Sequence, residues 1–70
     1  MQEKLIIIRS RNKFTKKYVA EYLGITPKQY SAKENGQYPF DSDEMFLLSK
    51  LFDKKMEDIF LPRSNQNGDK

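Results

Sequence analysis

Apolar residues recur along this chain at helical spacing, in short blocks separated by polar residues. From Lys16 to Leu23, Val19, Ala20 and Leu23 share one face, while Lys16, Lys17, Glu21 and Tyr22 point elsewhere. Thr15 is a candidate N-cap for this segment, and Phe14 is placed to staple onto Val19. Gly24 ends the segment in the left-handed conformation that glycine adopts cheaply, and Ile25 follows as a buried plug. A second helix is predicted at once. Thr26 supplies a capping hydroxyl, Pro27 suits the first helical position, and Asn35-Gly36 stops the helix after about two turns. Helix, three-residue turn with glycine, short helix is the pattern of a helix-turn-helix.

After the loop Gln37-Tyr38-Pro39-Phe40, Asp41 and Glu44 have the spacing of a capping box. The helix they open carries Met45, Leu48 and Phe52 on one face, with Phe46, Leu47 and Leu51 widening the stripe, expected in the core against the first helix or, for some of it, at a dimer contact. Asp53-Lys54-Lys55 breaks it, Met56, Ile59 and Phe60 give one more amphipathic turn, and Leu61-Pro62 terminates that. Residues 63–70 contain no large apolar residue and are expected to form a disordered tail behind one domain over 1–62. The start of the chain is ambiguous by itself. The β-branched cluster in Leu5-Ile6-Ile7-Ile8 suits a strand, whereas the spacing of Leu5 and Ile8 suits a helix.

Charge changes this picture by being unevenly placed. Residues 1–40 carry eight Lys/Arg against three Asp/Glu (+5), residues 41–62 three against six (−3), and the last eight residues add +1, giving the net +3. A basic half backed by an acidic one suits a polyanion-binding face, although a solvated surface produces the same count. The 70 residues include no Cys and no His, so thiolate metal sites, disulfides and the commonest general base are excluded. Asp41, Asp43 and Glu44 are already accounted for by helix capping, and no nucleophile accompanies them, so neither an enzyme nor a cofactor nor a metal is expected. The run Leu5–Ile8 is too short for a membrane span or a signal peptide.

The ordered set Arg9, Thr15–Ala20 (TKKYVA), Leu23-Gly24-Ile25, Glu34-Asn35-Gly36, Pro39 and Met56–Phe60 resembles the XRE/Cro-type helix-turn-helix domains of phage and bacterial repressors. The resemblance spans about residues 4–61. It implies an all-α fold, a compact five-helix bundle in which Leu5–Arg11 form the first helix with Leu5 and Ile8 inward. It also implies that the helix from Pro27 lies in the major groove of operator DNA. Lys28, Gln29 and Ser31 would read base edges there, with Pro27 and Ala32 against thymine methyls and Thr26 at the same edge. Lys16, where the family commonly has Gln, and Lys17 would meet phosphate, as would Tyr38 in the following loop.

The same resemblance implies a partly buried ion pair between Arg9 and Glu34, a core position for Tyr30, and dimer contacts at Ile59, Phe60 and Leu61. Lys33 stands where the family usually buries an aliphatic or aromatic residue, and its ammonium is expected in water above an apolar stem. The function implied is a Cro-like or short repressor, working as a homodimer on two-fold operator DNA in the bacterial cytoplasm. The alternative from another class is a module of the same fold that binds and modulates a partner repressor, using the apolar stripe at Phe46 and the exposed tyrosines.

Overall fold

The computed structural model describes residues 1–60, and these form five helices: α1 (Glu3–Arg11), α2 (Lys16–Leu23), α3 (Pro27–Glu34), α4 (Ser42–Phe52) and α5 (Met56–Ile59). The expected tail at 63–70, and Leu61, lie outside the described residues. No strand occurs among the described residues, so the ambiguous start resolves as a helix. Leu5 is fully buried and Ile8 packs against the core, whereas Ile7 is exposed. That is a 3.6-residue period, which places only part of an Ile run inward.

Helix ends follow the local chemistry of the sequence. Thr15 accepts a hydrogen bond from the Tyr18 amide at 3.0 Å, and Asp41 accepts one from the Glu44 amide at 2.8 Å. Glu44 returns a carboxylate oxygen to the Asp41 amide at 3.0 Å, completing the box at the start of α4. Gly24 lies at φ +78°, and the Ile25 amide reaches back to the Ala20 carbonyl at 3.0 Å. Asp53 closes α4 at φ +54°, a left-handed position held by a non-glycine residue.

The core is Leu5, Val19, Ala20, Tyr30, Phe40, Leu48, Phe52, Ile59 and Phe60, so every helix contributes. Phe14 leans on Tyr18 and Phe52, with ring centroids 4.7 and 5.9 Å apart, and seals the α1–α2 corner. Three sequence expectations are corrected here. Ile59 and Phe60, expected at a dimer contact, are 0% and 7% exposed and belong to the core of the single chain. A four-residue helix can stay folded only by burying such side chains, which leaves them almost no surface for a partner. Phe46, expected in the core, is 53% exposed with Lys50 lying 5.3 Å from its ring centroid. Lys33 does not hold its ammonium in water: it donates to both Glu44 oxygens at 2.6 and 2.8 Å, above the Phe40 ring.

Candidate nucleic-acid interface

The turn Gly24-Ile25-Thr26 sets α3 against α2. Ile25 packs on the core, and the Thr26 hydroxyl accepts from the Gln29 amide at 3.1 Å. Gln29 in turn folds its side chain back, and its Oε1 accepts from the Thr26 amide at 2.9 Å. This second capping box is written in the sequence as Thr26-x-x-Gln29, a signal that reading Gln29 only as a base-contacting residue overlooks.

The inward side of α3 is anchored by Tyr30 and Glu34, one turn apart and both essentially buried. The Arg9 guanidinium donates to Glu34 from Nε at 2.8 Å and from Nη2 at 3.2 Å, and its Nη1 donates to the Phe14 carbonyl at 3.1 Å. The Tyr30 hydroxyl donates to Glu34 Oε2 at 2.8 Å. The bond to Glu34 raises the Arg9 pKa above its ordinary value. Burial first, and then the bond to Glu34, pushes the Tyr30 phenol far above the ordinary tyrosine range, so it stays a donor. The ion pair implied by the resemblance is therefore present and ties α1 to α3, with the Tyr30 hydroxyl of α3 as its third member.

The outward side of the same helix is open. Thr26, Pro27, Lys28 and Gln29 are exposed, and Ser31 and Ala32 are half-buried. Lys28 has no charged or hydrogen-bonding partner among the described residues. Lys16 reaches across from the start of α2: its ammonium donates to Ser31 Oγ at 3.3 Å and stands 3.9 Å from Glu34 Oε1. Sequence alone gave no sign of this contact, because fifteen residues separate the partners. Lys17 is exposed beside Lys16. Tyr38, 64% exposed, rims an open concavity between α3 and the following loop, which Lys28, Ala32 and Gln37 also line. One exposed surface thus joins Lys16, Lys28, Gln29, Ser31, Ala32 and Tyr38. Ile59 and Phe60 belong to the core instead.

Among the described residues there is no cluster of His, Cys, Asp or Glu suited to a metal, and no helix long and apolar enough to cross a membrane. A short helix presented by a tight turn, with its inward side locked and its outward side polar and basic, is the arrangement of a DNA-binding helix-turn-helix. The helix-turn-helix family model matches residues 5–59, from Leu5 of α1 to Ile59 of α5, and the chain belongs to the XRE/Cro-type helix-turn-helix family of DNA-binding regulatory domains. No curated protein matched the chain.

Proposed function

We propose that the protein is a transcriptional regulator of the Cro or short-repressor kind, which binds operator DNA by seating α3 in the major groove. The observation that carries this reading is the contrast across α3: Lys28 is exposed without a partner among the described residues, while Tyr30 and Glu34 hold the helix from behind. Lys28, Gln29 and Ser31 face base edges, and Pro27 and Ala32 face methyl groups. Lys16 and Lys17 on one flank and Tyr38 on the other stand where the phosphates of the two strands run. Binding is then strongly salt-dependent.

A homodimer on a two-fold operator presents two copies of α3 about 34 Å apart, one turn of DNA. Ile59 and Phe60 are buried within the single chain, so in this reading the copies meet through other residues. Selection of bound sequences from a random DNA pool tests the reading. A palindrome with half-sites about ten base pairs apart is the expected result, and a pool without any enriched sequence contradicts it.

A second reading is favoured by the exposure of Tyr18, Tyr22 and Phe46, large aromatic groups on α2 and α4. In this reading the domain binds a partner repressor through them. An electrophoretic shift with operator DNA, run with and without a second repressor, separates the two.

A further inference from the structure

We infer that the outward side of α3 selects guanine, because in the folded chain its donors outweigh its acceptors and its one cation unpaired among the described residues, Lys28, can only donate. The inference rests on the DNA-binding reading above. Pro27 and Ala32 bring no polar side-chain atom. Lys28 brings three N–H donors and no acceptor. Gln29 would ordinarily set both kinds side by side against a base, but the Thr26 amide holds its Oε1 back at 2.9 Å in the capping box, which leaves the NH2 group as the freer end. Ser31 has one lone pair directed at the Lys16 ammonium at 3.3 Å, and its O–H is free to donate beside the one lone pair left over.

Lys16 itself adds further N–H donors and a second cation to the face. The nearest strong acceptor, Glu34, is 1% exposed and encircled by Arg9, Tyr30 and Lys16, so no ligand reaches it. A base edge docking here meets donors and positive charge.

Of the four bases, guanine alone presents two acceptors, N7 and O6, to the major groove. Adenine sets its N6 donor beside N7, and cytosine presents the N4 donor, so each would place a donor against the Lys28 ammonium, which has no acceptor to receive it. Thymine offers O4 and a methyl group, which suit Pro27 and Ala32. The half-site is therefore guanine opposite Lys28 and the Ser31 hydroxyl, with thymine methyls beside it.

The test uses the full chain and its selected operator, with single guanines replaced by 7-deazaguanine and single adenines by 7-deazaadenine. The replacement removes only the N7 acceptor. At one guanine or more in each half-site affinity is expected to fall roughly tenfold, and the adenine replacements are expected to leave it unchanged. Half-sites made only of A·T pairs, guanine replacements without effect, or losses at adenine overturn the inference while leaving sequence-specific DNA binding intact. DNA bound with no sequence preference overturns the inference and makes the face a charge patch, and absence of DNA binding contradicts the functional reading itself.

Discussion

On its inward side α3 holds a carboxylate that is 1% exposed, with Arg9 and the Tyr30 hydroxyl bonded to it; on its outward side Lys28 stands in solvent with no partner among the described residues. The difference shows how an eight-residue helix, marginal by itself, serves as a rigid probe. Desolvated polar groups fix its position, and exposed polar groups stay available. A buried charge stripped of its partner is costly, so the inward network resists any displacement of the helix. Changes on the two sides should therefore read out differently, inward ones as stability and outward ones as affinity.

The largest effect is expected from breaking the inward network. Arg9→Met or Glu34→Leu should each lower stability by about 3 kcal/mol, because each strands a buried group. Thermal melts of the singles and the double should show strong coupling, the double costing much less than the sum. Additive losses would mean that the two side chains do not interact. The Tyr30 hydroxyl sharpens the same point through pH. The folded chain holds its proton far above the ordinary tyrosine value near 10, whereas the unfolded chain releases it there. That part of the stability is fully present below pH 10 and is lost above it, at about 1.4 kcal/mol per pH unit. Denaturant melts between pH 9 and 11.5 should show this slope, and Tyr30→Phe should flatten it.

A smaller loss is expected at the flank of the helix. Lys33→Met removes the ammonium that bridges α3 to Glu44 but keeps most of the stem and both partners of the α4 capping box. Glu44 is buried but keeps its bond from the Asp41 amide, so losing the ammonium should cost about 1.5–3 kcal/mol, read as a drop in Tm. The smallest effect on stability belongs to the outward face. Lys16→Gln should leave folding nearly unchanged, weaken binding to all DNA sequences, and reduce the dependence of log Kd on log salt by about one unit.

Much of this contrast was legible in the sequence. The caps at Thr15, Thr26 and Asp41, the turn at Gly24 and the inward set of Val19, Ala20 and Leu48 follow from spacing and local chemistry, whereas the inward places of Leu5 and Tyr30 follow from the resemblance. The Arg9–Glu34 pair came from the resemblance, since twenty-five residues separate its members and no local rule links them. What escaped was settled by packing between distant segments. Lys33 meets Glu44 only once α3 and α4 are set side by side, and Lys16 meets Ser31 only once α2 crosses α3. Phe46 and Phe60 both lie on apolar stripes, and nothing local distinguishes the one left in solvent from the one covered by Phe40.

The central claim, that the outward face of α3 reads DNA while the inward face merely holds it, is tested most directly by Lys28→Ala. Binding of the wild type and the variant to the selected operator and to a scrambled duplex would be measured across several salt concentrations, alongside their melting curves. The account predicts an unchanged Tm, a loss of about 1–3 kcal/mol on the operator, and a far smaller loss on the scrambled duplex. Equal losses on both duplexes would reduce α3 to a patch of charge and contradict the account.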